Sequence, residues 1–588
     1  MAHAAAPSAR RVHAGGLHAV IDGGQLRWIT VGGVEAVRGI LGTVRDPHWG
    51  TVLPDFEAYD VDQHADGFDA RFVARYERDA IALRMVTTIR ATEHEVWCEV
   101  TAEALTDFQY ARIGLVVAHP ASAAGSQIRT ESEYGRFDGV VPVQTVLLPV
   151  LSTFTSAAVD VAPGVVARFE FEGGLFSIED QRSWMDGCFK TYSRHGPWPD
   201  EHFLAGGDVV RQAVTISFSI DATQSTPSWA DSATQAARHA AWPRVGVAAI
   251  GAGALVGHPG ALEALKNLRL DHLRVVVDVD SHSAHDREQV LNETALATAL
   301  GACVELELIV DGRTPASAIE SVVADVRAGA DISAVFVFDR DLRTSPRPQV
   351  RRVRDAIATL DDAVVGGGSC TSFADLNASK DTLAGLDLVG FPMCPQVHAF
   401  DDATIMESLE AIDPIMQTLH ARHGGPVAVG PLTLRLRRDW QCESPNFRIE
   451  LQGGQRFDHR QSQPLAAAWM LGAIAELSAN DVASVTVFEA AGEAGLLAAG
   501  GNGVVELFPV YYALHDFRWL TELAGEAHVE RRDGITVMTT VGESVTRRLA
   551  VNLGPEPRLL EPSGESLPPY GVVRSELPTQ PPSSKTRS

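Results

Sequence analysis

The sequence is poor in the features that mark secreted, membrane-bound or metal-stabilised proteins. Its six cysteines are scattered and form no Cys-x-x-Cys pair, which argues against a disulfide framework and a structural zinc site. No run of about 18 apolar residues occurs, and the basic N-terminal segment lacks a continuous apolar core. We therefore expect a cytoplasmic protein with reduced thiols and no membrane association.

Positive charge is also scarce. The 49 Lys and Arg residues are outnumbered by 75 Asp and Glu residues, which gives a net charge of -26. Such a protein repels nucleic acid and anionic lipid, so neither is an expected partner. The sequence does not indicate an oligomeric state.

The composition is that of a globular protein, with 45% hydrophobic and 21% charged residues. A chain of 588 residues is long enough for two or three domains, each with its own core. We predict an N-terminal β domain with its linker at 1–235, a barrel at 236–523, a small C-terminal β unit at 524–574 and a disordered tail at 575–588.

The first of these domains is predicted from short β-rich runs broken by Gly, Asp and Pro, a pattern typical of an antiparallel sandwich. The clearest runs are 68–76, 80–89, 93–102, 112–118 and 209–220. Residues 221–241 are rich in Ser, Thr, Ala and Gln, which predicts a linker.

Strands and helices alternate in the middle of the chain. Eight mostly apolar runs, typical of parallel strands buried on both faces, lie at 245–250, 273–279, 304–310, 334–338, 363–367, 386–391, 427–430 and 484–488. Amphipathic helices separate several of them, including one that begins after Ser462 and Gln463 at Pro464. This order predicts a (β/α)8 TIM barrel, like that of many glycoside hydrolases, with its site at the carboxyl ends of the strands.

Two residues near those strand ends are candidates for a general base. Glu489 directly follows the apolar run SVTVF, where a carboxylate is costly to bury unless it has a partner or faces the open mouth. His398 follows the sixth strand and titrates near neutral pH when unperturbed. A salt bridge that closes the last strand and a structural histidine are the respective alternatives.

Other hydrolytic chemistries find less support. No Gly-x-Ser-x-Gly elbow occurs, which leaves an α/β-hydrolase serine nucleophile unsupported. The seventh strand end lacks the acid of a common retaining glycosidase, so only an inverting pair such as Asp339 with Glu489 remains as an alternative. The run DVDSHSAHD at 278–286 has metal-ligand types, but solvated turn residues explain it better, and we predict no metal and no cofactor.

The segment EGGLFSIEDQRSWMDGCFKTY at 172–192 is too polar for a core strand and concentrates charged and aromatic side chains. It resembles the EDQRNWTDASFKTY block of the D-apionate lactonase family and departs from it at Ser183, Met185, Gly187 and Cys188. The matching positions are Glu179, Asp180, Gln181, Arg182, Trp184, Asp186, Phe189, Lys190, Thr191 and Tyr192.

Two barrel segments extend this resemblance. Residues 389–402, VGFPMCPQVHAFDD, are similar to the family element GFSxNPQVHAFD, and residues 366–377, GGGSCTSFADLN, are similar to GGGTDAxFxELN. Cys370 stands where the family element has Asp. The resemblance implies hydrolysis of D-apionolactone to D-apionate in apiose catabolism.

Lactone opening requires an activated water, stabilisation of an oxyanion and a proton for the leaving ring oxygen. We expect Glu489 or His398 as base and Glu179 as acid. The remaining roles are oxyanion or hydroxyl binding by Lys190 and Arg182, and substrate binding by Asp180, Tyr192, Asn377 and Gln396. The pocket is expected where the 179–192 segment covers the barrel mouth. Two alternatives stay open, namely that this segment is an interdomain cluster and that the protein binds carbohydrate without catalysis.

Overall fold

The chain folds into two compact units, Met1–Ser232 and Ala233–Ser588. The structure is a computed structural model, and it describes residues 8–133, 135–147, 149–193, 202–221, 235–250, 253, 255, 257–281, 283–358, 364–379, 383, 385–437, 457–500, 503–561 and 563–579. The predicted first boundary, at 235, lies three residues from the observed division, whereas the predicted C-terminal unit belongs to the same compact unit as the barrel.

The first unit consists of antiparallel strands. They are β1 Arg10–Ala14, β2 Leu17–Asp22, β3 Gln25–Val31, β4 Val34–Arg45, β5 Pro54–His64, β6 Gly67–Arg78, β7 Ile81–Thr92, β8 Glu95–Ala104, β9 Phe108–Tyr110, β10 Arg112–Pro120, β11 Gln127–Ser132, β12 Gly135–Val140, β13 Leu151–Phe154, β14 Ser156–Ala162, β15 Val165–Glu172, β16 Phe176–Asp180, β17 Cys188–Ser193, β18 His202–Leu204 and β19 Val209–Ile220.

Two large sheets pack face to face in this unit. One has the order β1-β2-β3-β4-β10-β17-β16-β13 and the other β12-β11-β14-β15-β19-β8-β7-β6-β5. Along β7 buried and half-buried residues alternate, because successive side chains of a strand point to opposite faces. Ile40 of the first sheet and Phe72 of the second belong to one hydrophobic core, which confirms the predicted N-terminal β domain.

The second unit contains a closed barrel of eight parallel strands. They are β21 Arg244–Ala248, β22 His272–Asp278, β23 Cys303–Val310, β24 Ile332–Asp339, β25 Val364–Gly368, β26 Leu388–Met393, β27 Val427–Leu432 and β28 Ser484–Glu489. Every predicted barrel strand is present, with its ends shifted by a few residues. Strands such as β22 and β27 are buried at every position, which explains their continuous apolar sequence.

Helices follow or separate the barrel strands, as expected for this fold. They are α1 Pro259–Asn267, α2 Ala284–Leu300, α3 Ala316–Gly329, α4 Arg347–Ala356, α5 Phe373–Ala378, α6 Asp402–Glu407, α7 Ile412–Arg422, α8 Pro464–Ser478 and α9 Pro509–Thr521. Pro464 opens α8, where the missing N–H of proline costs nothing, as the sequence predicted. None of the helices in the described part of the chain is long and apolar enough to cross a bilayer.

A five-stranded antiparallel sheet completes the second unit and corrects two predictions. Its order is β20-β31-β32-β33-β36, formed by β20 Gln235–Ala240, β31 Glu526–Arg532, β32 Ile535–Val541, β33 Val545–Asn552 and β36 Val572–Pro578. The predicted linker is therefore wrong for 235–240, and the predicted disordered tail is wrong for 575–578, because both segments pair in this sheet. The rest of the tail, from 580, lies outside the described residues. Short pairs β29 Leu497–Ala499 with β30 Val505–Leu507 and β34 Arg558–Leu560 with β35 Glu565–Leu567 complete the set.

Candidate active site

The 172–192 segment forms a hairpin of β16 and β17 in the first unit. The strands pair Glu179 with Lys190 and Ser177 with Tyr192, and a short 3-10 turn at Arg182–Trp184 joins them. Because cross-strand partners share a face, Glu179, Lys190 and Tyr192 lie on one side of the hairpin and Asp180 lies on the other.

On the inner side, Asp180 and Arg182 form a buried ion pair whose side chains are 0% and 1% exposed. The Arg182 Nε donates to Asp180 Oδ1 at 2.9 Å and its Nη2 donates to Oδ2 at 2.8 Å. The guanidinium also donates to the carbonyls of Pro142, Val143 and Gln144. This geometry favours a structural role, since the pair fastens the neighbouring loop to the hairpin.

On the outer side, Glu179 accepts a hydrogen bond of 2.7 Å from the Tyr192 hydroxyl and one of 3.3 Å from Gln181. Burial and the nearby Glu179 carboxylate raise the pKa of Tyr192 well above its ordinary value, so its hydroxyl stays protonated. The guanidinium of Arg112 lies 3.5 Å from the centre of the Tyr192 ring and 3.7 Å from Glu179. The Glu179 side chain remains 31% exposed.

Lys190 donates a hydrogen bond of 2.6 Å to Asp186 and is 16% exposed. A second cation, Arg45, interacts electrostatically with the same carboxylate, Asp186. Burial lowers the pKa of Arg45 to about 10, even though the carboxylate of Asp186 favours its charged form. Glu179, Lys190, Tyr192, Arg45 and Arg112 thus form a mixed-charge group, which we call the hairpin cluster.

The second unit repeats the Asp-x-Arg fork of the hairpin. Arg460 Nε donates to Asp458 Oδ1 at 2.8 Å and its Nη2 donates to Oδ2 at 2.9 Å. Gln396 completes this group: its Nε2 donates to Asp458 and to the Leu434 carbonyl, and its Oε1 accepts from Arg460. Burial would raise the pKa of Asp458, but the hydrogen bonds from Arg460 and Gln396 outweigh it and hold that pKa far below its ordinary value.

The barrel interior contains a second buried charge network. Arg274 Nη2 donates to Glu305 Oε2 at 2.7 Å and its Nη1 donates to the Gly430 carbonyl at 2.8 Å. His272 lies 3.4 Å from the same carboxylate oxygen and shares a 2.9 Å hydrogen bond with Thr486. Burial lowers the pKa of His272 to about 4. Burial opposes the charge of Glu305 as well, but its cationic neighbours and hydrogen bonds outweigh that and lower its pKa to about 2.

A narrow cavity lies beside this network, toward the carboxyl ends of the strands, and it has room for about one water molecule. Typical small-molecule sites measure roughly 300–1,000 Å³, so a sugar lactone enters this cavity only if the lining side chains move apart. It carries one carboxylate and two guanidinium groups among apolar and small residues. Its lining is Arg274, Glu307, Phe338, Ser369, Cys370, Pro392, Gly430, Pro431 and Arg437.

Both predicted base candidates lie at this end of the barrel. Glu489 is the last residue of β28 and is 9% exposed. Its backbone carbonyl accepts from Leu496 at 3.0 Å, so it also anchors the turn that follows the strand. His398 is half-buried in the segment after β26.

Comparison with known proteins identifies the family. Residues 1–221 match the domain family described as D-apionate lactonase, N-terminal domain, and residues 221–525 match D-apionate lactonase, TIM barrel domain. The chain belongs to the D-apionate lactonase family. Its members are hydrolases, and the predicted resemblance is confirmed in both units.

One curated relative of this lactonase is the D-apionate lactonase of Brucella anthropi, which is 29% identical over 83% of each chain. Among solved structures, the family 51 α-L-arabinofuranosidase AbfB of Bifidobacterium longum is 12% identical, with a TM-score of 0.40 over 58% of this chain and 95% of its own. An endo-β-1,4-mannanase of Thermotoga petrophila is 11% identical, with a TM-score of 0.31 over 58% of this chain and 91% of its own.

Three of the substrate-binding residues predicted for this lactonase serve other contacts. Asp180 and Gln396 are 1% and 2% exposed and bond to protein groups, and Asn377 accepts from Arg422 at 2.9 Å at the ends of α5 and α7. The arrangement thus places Asn377 in the helical layer, away from the cavity lining. Tyr192 lies in the hairpin cluster, beside Glu179.

The residues that a glycosidase or metal-dependent mechanism would need are also engaged in structural contacts. Asp339, one half of the possible glycosidase pair, caps the turn after β24: its Oδ1 accepts from the amides of Asp341 and Leu342, and its Oδ2 accepts from Gln349. Asp278 is bonded to Arg340, and Asp280 accepts from Thr314. Across the described residues, which do not include His282, no three His, Cys, Asp or Glu side chains are grouped to hold a metal ion.

Sequence reasoning missed the charged residues inside the barrel. Glu305 and Glu307 stand two apart in the strand CVELELIV, so both side chains face the barrel interior. A pair of carboxylates in an otherwise apolar strand is costly unless it is partnered or functional, which is the argument that singled out Glu489. For the same reason, the charged residues Arg274 of β22 and Glu305 and Glu307 of β23 are candidates.

Proposed function

We propose that this protein hydrolyses D-apionolactone to D-apionate in apiose catabolism, and that the reaction takes place in the barrel cavity. Family membership supports lactone hydrolysis. The observation that carries the location is the cavity at the carboxyl end of the barrel, where Glu307 lies among two guanidinium groups. This is the end at which barrel enzymes place their reacting groups.

The cavity has the charges that lactone opening needs. Water attacks the carbonyl carbon while a base removes its proton, the carbonyl oxygen becomes an oxyanion, and the ring oxygen leaves with a proton. Glu307 lines the cavity and is only 2% exposed, so we assign it as the base. Glu489 and His398, which lie at the same end of the barrel, are the other base candidates.

The hairpin cluster supports a more limited proposal. Glu179, Lys190 and Tyr192 retain the predicted roles of acid, oxyanion-binding cation and substrate contact only if they meet the sugar directly. Glu179 and Lys190 are partly exposed, which is compatible with such contact, whereas Tyr192 is buried. Glu179 and Lys190 already bond to Tyr192 and Asp186, respectively. We propose positioning roles for these residues and reassign Asp180 and Arg182 as structural.

The proposed ligand is a small sugar lactone, and the proposed location is the cytoplasm. The chemistry requires only water and side chains, so no cofactor is part of the proposal. The net charge of -26 continues to disfavour nucleic acid as a partner.

A pH-indicator screen of aldonolactones tests the function directly. The purified protein should release acid from D-apionolactone well above the spontaneous rate and more slowly from six-membered lactones. Cleavage of aryl glycosides without lactone hydrolysis would show a glycosidase instead. Binding of the lactone without acid release across the pH range would show a carbohydrate-binding protein.

A further inference from the structure

Arg274 is held rigidly on the wall of the barrel cavity. It belongs to β22, is 2% exposed and lines the cavity. Its two terminal nitrogens donate to Glu305 and to the Gly430 carbonyl, and its guanidinium carbon lies 4.3 Å from the centre of the Phe336 ring. These contacts fix the plane of the guanidinium before any ligand arrives.

The glycine that receives one of these bonds has little freedom to change. Gly430 has a φ of 154°, and a Cβ on it would lie 2.6 Å from the Thr486 Cβ. The close approach of β27 to β28 therefore depends on glycine, and the same strand geometry presents the Gly430 carbonyl to Arg274.

One donor of this guanidinium is left over. The Arg274 Nε–H is buried and has no hydrogen-bond partner among the described residues. Burying a donor without an acceptor is unfavourable, and an unpaired donor in an otherwise satisfied network calls for an explanation. A water molecule in the cavity supplies an acceptor when no ligand is bound, and a ligand oxygen that displaces this water takes its place.

We propose that Arg274 binds the lactone carbonyl oxygen as it becomes an oxyanion and then binds the product carboxylate, with Glu305 as its positioning residue. This inference rests on the proposed function. In the step concerned, water forms a bond to the carbonyl carbon and the electron pair of the C=O bond moves to the oxygen. The returning pair expels the ring oxygen, which takes the proton that the base removed from the water. The new carboxylic acid releases its own proton to solvent, and a carboxylate remains beside Arg274.

Arg274 suits this role better than the other cation of the cavity. Arg437 lies in the segment after β27, whereas Arg274 lies within β22 and is fixed by hydrogen bonds to β23 and β27. An oxyanion-stabilising donor is effective because its position does not change during the reaction.

The test replaces the whole ion pair, because removal of Arg274 alone would leave Glu305 buried and unpaired. Exchanging a buried pair for apolar residues is often neutral for folding, so Arg274→Met/Glu305→Met should keep its thermal transition. Its kcat for D-apionolactone should fall about 10²–10³-fold, the usual effect of losing an oxyanion-hole donor. The inhibition constant of D-apionate should rise roughly tenfold or more.

A matched control removes a different ion pair of the same unit. Arg238 bonds to the buried Glu476 on the outside of the barrel, and Arg238→Met/Glu476→Met should keep the wild-type kcat. If the first double variant does not fold, Arg274→Lys takes its place, since it keeps a cation beside Glu305. Lysine lacks the guanidinium fork, so its kcat should still fall at least tenfold.

Glu305→Gln separates positioning from simple packing. It removes the negative charge behind Arg274, so the D-apionate carboxylate should bind more tightly. The kcat should fall because Glu305 no longer positions Arg274 as strongly. A purely structural pair would give a lower melting temperature with no tighter product binding. Wild-type kcat in a folded Arg274→Met/Glu305→Met variant would overturn this inference alone, whereas a wild-type protein inactive on every lactone would overturn the proposed function.

Discussion

Two buried arginines show how differently the two units use the same side chain. Arg182 of the hairpin and Arg274 of the barrel are 1% and 2% exposed, and each pairs with a carboxylate. Arg182 donates its remaining hydrogen bonds to three backbone carbonyls. Arg274 lines a cavity, and its buried Nε–H has no partner among the described residues. Arg182, in the conspicuous 172–192 segment, thus has all its donors engaged by the protein, whereas Arg274, in an ordinary barrel strand, has a donor available to a ligand.

The largest expected effect is a loss of kcat when the proposed base in the barrel is replaced. Glu307→Gln should lower kcat for D-apionolactone about 10²–10⁴-fold, because loss of a general base has that effect, with little change in melting temperature. Steady-state kinetics on Glu307→Gln, Glu489→Gln and His398→Asn, measured with thermal melts, identify the base. A large loss confined to Glu489→Gln would move the base to the end of β28.

The second largest expected effect is a loss of stability when the buried ion pair of the hairpin is broken. Arg182→Met leaves Asp180 buried without its cation, so the free energy of unfolding should fall by about 3–5 kcal/mol. The folded fraction should keep its kcat, since the fork only holds the loop. Denaturant unfolding and active-site-normalised kinetics measure the two quantities. A stable variant with a large kcat loss would restore Arg182 as a substrate-binding residue.

Among the described residues, each unit has one buried histidine that should make stability depend on pH. Burial lowers the pKa of His119, beside Thr191 of the hairpin, and that of His272, below the cavity, each to about 4 from 6.5. Since the unfolded chain binds these protons first, stability is full above pH 6.5 and declines as pH falls toward 4.

The size of this decline follows from the shift, at about 3 kcal/mol for each histidine. In His119→Gln, urea unfolding between pH 7 and 4 should therefore show a shallower loss of stability than in the wild type. An unchanged slope would mean that His119 is not a neutral buried group in the folded protein.

The smallest effect concerns the exposed side of the hairpin. Glu179→Gln keeps a hydrogen-bond acceptor for Tyr192 but loses its charge, so stability should fall by about 1 kcal/mol. We expect kcat to change less than tenfold, because this carboxylate is engaged with Tyr192 and Gln181. A hundredfold loss of kcat would instead support the acid role predicted from the sequence.

The fold was largely predictable because the barrel strands are buried on both faces and therefore read as continuous apolar runs. The two segments that were predicted wrongly form strands only because they pair with strands distant in sequence. Residues 235–240 have a linker-like composition, but they become a strand because β31 lies beside them. The segment 575–578 forms a strand for the same reason, since it pairs with β33.

The candidate site was less predictable because charge was sought at strand ends and in the polar segment. Glu307 lies inside a strand, and only the alternation of side chains places it at the cavity. The Asp458–Arg460 fork was missed because its link to Gln396 joins residues more than 60 positions apart. Family resemblance singled out the 179–192 segment, but only three-dimensional contacts show that it forms a hairpin and that Asp180 and Arg182 satisfy each other.

A crystal structure with D-apionate bound would show whether the reaction product lies in the barrel cavity or at the hairpin cluster. We expect the product in the barrel cavity, with its carboxylate within hydrogen-bond distance of Arg274 Nε and its hydroxyl groups near Glu307. Product bound instead at Glu179, Lys190 and Tyr192, with the barrel cavity empty, would contradict it.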